Sequence, residues 1–304
     1  MNMKTIHYIL TCTAAILAVA CSKESTREQP EVGQATSRLT VFYADLGSSD
    51  ATRTYIDENV KIHWNNGDLV SIFQTTSNDM FRFIGEDGAR SGEFEEVGNS
   101  SSTGEEISNI YSVYPYSQST SLTSSEVLTV YLPEVQEYAE KSFGQGANTM
   151  VCRSQNDKLF FKNVGGYLVI KLYGDGVDVS SVSIKANNGE AIAGDATISF
   201  DDDGIPSATI AQGSDEITVS CGTPVTLGTS STDYTEFWFV VPPVTLSGGF
   251  TVTVNGTNSK KCEKVSTKQR TITRNKVTMM TPFEVVLTDG NQIADGEEED
   301  GGDY

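Results

Sequence analysis

Val60-Lys-Ile-His-Trp-Asn-Asn-Gly-Asp-Leu-Val-Ser-Ile-Phe-Gln74 decides the fold class. Two runs rich in β-branched and aromatic residues flank Asn65–Asp68, whose residue types tolerate the positive φ of a tight reversal, so the stretch predicts a β-hairpin over residues 60–74. The same grammar extends outward on both sides. Arg38–Leu46, Met80–Ile84, Ile107–Tyr114 and Val127–Leu132 read as strands separated by Gly, Asn, Asp and Ser clusters. A second series runs from Leu159 to Leu287 and includes Tyr167–Tyr173, Val179–Lys185, Glu236–Val241, Phe250–Val254 and Val277–Leu287. Such a chain is all-β, with enough strands for two antiparallel β-sandwich domains in tandem. Only Val135–Phe143, where Glu and Ala are interspersed, has weak helical character. Polar residues around it place the boundary near 145–157, giving an N-terminal sandwich over 38–150 and a C-terminal one over 151–288.

The two ends of the chain read differently. Lys4, the apolar run Tyr8–Ala20 and the small residues before Cys21 fit a lipoprotein signal peptide over residues 1–20, with Cys21 the lipidated first residue of the mature chain. Residues 21–37, rich in Ser, Glu, Gln and Gly, suit a flexible tether. Residues 289–304 hold seven acids and no base, and read as a disordered acidic tail. Calcium would suit such carboxylates, but EF-hand spacing is absent.

Composition narrows the chemistry. A formal net charge of −20 lacks the clustered bases that displace phosphate counterions, which argues against a nucleic-acid partner. Of the five cysteines, Cys12 falls in the signal and Cys21 takes lipid, leaving Cys152, Cys221 and Cys262 without CxxC spacing. One histidine, His63, follows the signal, so neither a multi-histidine metal centre nor an obvious catalytic triad is available, and no nucleotide-binding or hydrolase motif occurs. Asp201-Asp-Asp-Gly204 invites a metal, yet the same residues are ordinary turn chemistry. No metal, cofactor or catalytic residue is assigned, and the expectation is a protein that is not an enzyme.

Ala51-Thr-Arg-Thr54, the 60–73 stretch, Tyr111-Ser-Val-Tyr-Pro-Tyr116, Phe161-Lys-Asn-Val-Gly-Gly-Tyr-Leu-Val-Ile170, Phe239-Val-Val-Pro-Pro243 and Gly249-Phe-Thr-Val-Thr253 follow one another in an order that resembles the fimbrillin family, the lipoprotein pilins of type V fimbriae and their surface relatives. The resemblance spans roughly residues 38–287. It implies two transthyretin-like sandwiches in an outer-membrane lipoprotein, displayed at the cell surface or in a fimbrium. In pilin members an arginine-specific surface protease removes the N-terminal strand, and the C-terminal strand of another subunit fills the groove. Carried onto this sequence, Arg38–Leu46 is the strand removed, an edge strand of the first sandwich, and Arg53 is the cleavage site. Equally, Arg53 reads as a plain solvated loop residue.

The terminal strand supports the scheme on physical grounds. Val277, Met279, Phe283, Val285 and Leu287 alternate onto one predicted strand face. Burying five such side chains at about 1.5–3 kcal/mol each gives an upper estimate on the order of 10 kcal/mol for a joint between subunits. The expected partners are other fimbrial subunits, outer-membrane lipid through Cys21, a surface protease, and a host or bacterial ligand. The alternative is a non-polymerising surface lipoprotein that binds glycan or another extracellular ligand, with Trp64, Trp238 or exposed tyrosines as the stacking platform, although tryptophans in strands more often serve the core.

Overall fold

The computed structural model describes residues 38–46, 63–98, 103–257 and 259–289. Cys21, Arg53, the signal and tether regions, Val60–Ile62 of the expected hairpin and the tail beyond Asp289 lie outside them.

Every regular element among the described residues is a strand. In chain order these are β1 Val41–Asp45, β2 Leu69–Thr75, β3 Asp79–Ile84, β4 Ser91–Glu96, β5 Glu106–Tyr114, β6 Ser121–Leu122, β7 Leu128–Leu132, β8 Val135–Ala139, β9 Ser142–Phe143, β10 Met150–Ser154, β11 Lys158–Phe160 and β12 Lys162–Asn163. They continue as β13 Gly166–Tyr173, β14 Asp178–Ala186, β15 Gly194–Phe200, β16 Pro206–Ile210, β17 Glu216–Thr226, β18 Thr235–Val241, β19 Val244–Leu246, β20 Phe250–Gly256, β21 Lys261–Ser266, β22 Arg270–Ile272, β23 Val277–Met279 and β24 Phe283–Glu284. Period-2 burial is the physical reason: in β20, Phe250, Val252 and Val254 turn inward while Thr251, Thr253 and Asn255 stay half-exposed.

An eight-stranded sheet, β11-β1-β4-β3-β2-β5-β10-β12, covers a core of Phe42, Trp64, Phe81, Phe83, Phe94 and Phe161. The second large core lies between β18-β13-β23 and the sheet β21-β20-β14-β17-β8-β9. A third cluster joins Phe73, Tyr111 and Val151 to Leu128, Val130, Ala196 and Ile198, so residues early and late in the chain share one apolar interior.

Four expectations need correction. Trp64 bridges Ala89 rather than the strand after the turn, and β2 pairs with β3 and β5. The Asn65–Asp68 reversal is present, with Asp68 N donating to Asn65 O at 3.0 Å and Gly67 at φ +89°, but its amides and carbonyls engage Phe83 of β3. The weakly helical stretch 135–143 forms β8 and β9 instead. Gln136, buried, explains why: its side-chain amide bonds Val240 N and O at 2.9 and 2.8 Å, holding β8 against β18. The polar stretch 145–157 is not a linker throughout, because it contains β10, paired to β5 and β12 inside the first sheet. Finally, β1 is not at the sheet edge. It lies between β4, antiparallel, and β11, parallel.

Candidate functional site

The two segments that the sequence singles out, β1 and the C-terminal strand, are each tied in place by specific contacts. β1 and the residue after it point Phe42, Ala44 and Leu46 into the core and Val41 and Tyr43 outward. Phe42 meets Phe81 edge to face at 5.3 Å, and Ala44 faces Gly92 across the β4 ladder. At the start of the strand, Gln74 grips Leu39 at two points: its Oε1 accepts from Leu39 N and its Nε2 donates to Leu39 O, both at 2.7 Å. Arg38 Nη2 donates to Asp79 Oδ2 at 2.8 Å and to Glu96 Oε1 at 2.7 Å, while Nη1 donates to Glu96 Oε2 at 3.1 Å. The side chains are 22% exposed for Arg38, 2% for Asp79 and 9% for Glu96. Burial pulls the Arg38 pKa down, but the hydrogen bonds and charges of Glu96 and Asp79 outweigh it and hold it above its ordinary value. Sequence reasoning missed Gln74, Asp79 and Glu96, because they lie 35, 41 and 58 residues from their partners and form no local pattern.

The C-terminal segment folds back on its own chain. Asn275 takes φ +63° in the turn before β23, its N–H donates to Gly165 O at 2.9 Å, and Asn163 Nδ2 donates to Asn275 Oδ1 at 2.8 Å. Asn163 also donates to Tyr167 Oη and accepts from Asn148 Nδ2, both at 2.9 Å, within a buried polar triangle. Gly166 is required beside it: a Cβ there would lie 2.1 Å from Thr273 O. β23 and β24 then run parallel to β13.

Their register changes midway. Val169 pairs with Met279, an offset of 110 residues, and Leu172 with Phe283, an offset of 111, so one extra residue is accommodated within 280–282. The side chains therefore change faces. Val277 and Met279 pack on Phe143, Tyr167 and Trp238, whereas Phe283, Val285 and Leu287 join Met280 on the main C-terminal core. The expected single apolar face is thus two half-faces, and Pro282 sits at the break. Beyond it Val285 N donates to Tyr173 O at 2.8 Å, and Lys261 and Thr288 exchange backbone bonds at 3.1 and 3.0 Å.

Other sequence candidates take structural places. Trp64 is 0% exposed, ringed by Phe83, Phe94, Tyr114 and Phe161, and Trp238 is 5% exposed, so neither is a surface platform. His63 Nδ1 lies 2.7 Å from Gly88 O. Asp201 caps the β15–β16 turn by accepting from Ile205 N at 2.7 Å. Cys152 and Cys262 are buried and Cys221 half-buried, all as free thiols, with burial pushing Cys152 up to about 12 and Cys221 up to about 11. An open groove of about 660 Å³ runs past Tyr138, Lys141, Thr226, Tyr234 and Glu236. Among the described residues no three His, Cys, Asp or Glu side chains are grouped to hold a metal.

No protein-family model and no curated protein matches the chain. Solved structures do align with it. A Bacteroides ovatus protein named for cell adhesion covers 84% of this chain and 97% of its own at 11% identity and a TM-score of 0.46. A Bacteroides uniformis protein, also named for cell adhesion, covers 82% and 96% at 15% identity and a TM-score of 0.43. A fimbrial protein from Bacteroides ovatus covers 82% of this chain and 50% of its own at 12% identity and a TM-score of 0.28.

Proposed function

We propose that this protein is a lipid-anchored fimbrial subunit or fimbria-associated adhesin of the cell surface, linked to a neighbouring subunit by strand exchange after proteolysis at Arg53. One observation carries the reading. The β1 segment contributes three buried side chains at i, i+2 and i+4, Phe42, Ala44 and Leu46, and its loss opens a slot between β4 and β11 with unpaired backbone on both sides. Such a slot is strongly unfavourable in water and is relieved by a replacement strand. Phe283, Val285 and Leu287 have the same spacing on the terminal segment, which suits it, together with Val277 and Met279, to act as the donor strand for the slot of another kind of subunit. Cys21 carries the lipid that holds the precursor to the outer membrane, and the role needs no catalysis.

The test is cleavage of the unlipidated full chain at Arg53 in the presence of an excess of a labelled peptide of residues 38–46, followed by mass spectrometry of the native complex. Release of the fragment that contains β1 and uptake of a strand in its place supports the reading. A cut chain that keeps its fragment and takes up nothing refutes it. For the anchor, Cys21→Ser should abolish labelling with fatty acid in cells.

A second reading draws on the groove beside Tyr138 and Tyr234, which offers aromatic walls among carboxylates and hydroxyls suited to a sugar. Loss of glycan binding in Tyr234→Ala, with strand exchange unaffected, would separate it from the first.

A further inference from the structure

The slot that β1 fills ends in chemistry that an apolar strand does not satisfy. Asp79 and Glu96, both largely buried, converge on Arg38 at the mouth of the slot, and Gln74 holds the backbone of the next residue, Leu39. The Gln74 grip suits any strand, because it bonds only main-chain N–H and C=O. It fixes where an incoming backbone enters. The carboxylates are selective, since desolvated charges lose far more from a missing counter-charge than exposed ones do. Deeper in the slot, Ala44 is fully buried opposite Gly92, so the middle position takes a small side chain.

This argument rests on the strand-exchange reading above. When β1 leaves, Arg38 leaves with it. We infer that the emptied slot selects a donor strand bearing Arg or Lys four residues before the first of three alternating buried side chains, the middle one small, and that this donor comes from a different subunit rather than from a second copy of this chain.

The chain's own terminal segment fails the requirement in each register that keeps its apolar side chains inward. Placing Phe283, Val285 and Leu287 where Phe42, Ala44 and Leu46 lie is a shift of 241 residues (283 − 42), which brings Met279 to the place of Arg38. Sliding by two residues brings Val277 or Thr281 there instead. In the reversed direction, with Leu287 at the place of Phe42, the uncharged Asn291 takes the place of Arg38. The nearby bases do not help: moving Arg274 to that place buries Thr278, Met280 and Pro282, and moving Lys276 there buries Met280, Pro282 and Glu284. Val285 also adds two methyl groups where Ala44 is closely packed.

The experiment uses the unlipidated full chain with a specific protease site in place of Ser48–Thr54, cut and challenged with fluorescent nine-residue peptides. The peptides are the sequence of residues 38–46, the same peptide with Arg38→Met, and the sequence of residues 279–287. Anisotropy should show binding of the first, with a loss of about tenfold or more for each of the other two. In the cut Asp79→Asn, Glu96→Gln protein the preference for arginine should disappear. Binding of the 279–287 peptide within about threefold of the first, or no penalty for Arg38→Met, overturns the inference while leaving strand exchange intact. Failure of every peptide, including the first, removes the strand-exchange reading and the selectivity with it. The peptide comparison is made in one protein, so it stands whether or not the carboxylate variant folds.

Discussion

Replacing Asn163 by leucine tests how the terminal strand is held. Asn163 is fully buried and makes three side-chain hydrogen bonds of 2.8–2.9 Å, to Asn148, Tyr167 and Asn275. Leucine keeps the branched heavy-atom skeleton but is bulkier, so no cavity opens and the cost falls on the polar partners and on local packing. Asn148 Nδ2 loses its bond to Asn163 Oδ1 in a buried setting, a penalty of about 1–3 kcal/mol. Tyr167 Oη loses a donor but still donates to Asn148 Oδ1 at 3.4 Å, and the half-buried Asn275 reaches water. The total is about 2–4 kcal/mol, a large share of the ~5–15 kcal/mol that stabilises an ordinary domain. The loss should be concentrated at the turn that launches β23. Urea unfolding measures the energy, and hydrogen exchange reads the Met280 and Val285 amides, which donate to Val169 O and Tyr173 O. Both amides should exchange faster in Asn163→Leu. A stability change under about 1 kcal/mol with unchanged exchange at these amides would refute the account of the terminal strand.

Three further outcomes are expected. Glu126 accepts hydrogen bonds from Ser108 N, Asn109 Nδ2 and Tyr111 Oη; burial pushes its carboxyl up, but these bonds outweigh it and lower it to about 2. Its contribution is therefore full above its unfolded value of about 4.3 and fades as pH falls toward 2, so Glu126→Gln should destabilise at pH 7 by about 1 kcal/mol and by progressively less below pH ~4 in thermal melts. Trp64→Ala, at the centre of four aromatic rings, should cost about 3–5 kcal/mol in urea unfolding, whereas a surface binding residue would leave stability unchanged. A chain beginning at Ser22 should react with a thiol reagent at no more than one thiol when native, the half-buried Cys221, because Cys152 and Cys262 are buried, and at three thiols once unfolded.

The strand content was legible because alternation is a local signal: Phe250–Gly256 announces its buried face in its own sequence. What the sequence did not reveal lies in partnerships across the chain. Trp64 ends in a bridge to Ala89 because the turn that follows is captured by Phe83, a contact that no window around residues 60–74 contains. Val135–Phe143 has a mixed composition, and the amide of Gln136 decides its fate by engaging a strand 104 residues later. In the terminal segment the alternation from Val277 to Leu287 predicts a single apolar face, but one accommodated residue near Pro282 turns its two halves to opposite faces. The clamp on Arg38 was equally hidden, since Asp79 and Glu96 are ordinary acids until the sheet brings them together.

The central claim is that β1 becomes replaceable once the chain is cut within residues 47–54. Hydrogen exchange on the amides of β4 and β11 that flank β1, measured on cut protein with and without an excess of the 38–46 peptide, reads this without reference to any partner. The account predicts that cutting and dilution expose those amides and that added peptide protects them again. Amides that stay protected after cutting, with the N-terminal fragment still bound and exchanging no faster than in the intact chain, would contradict it.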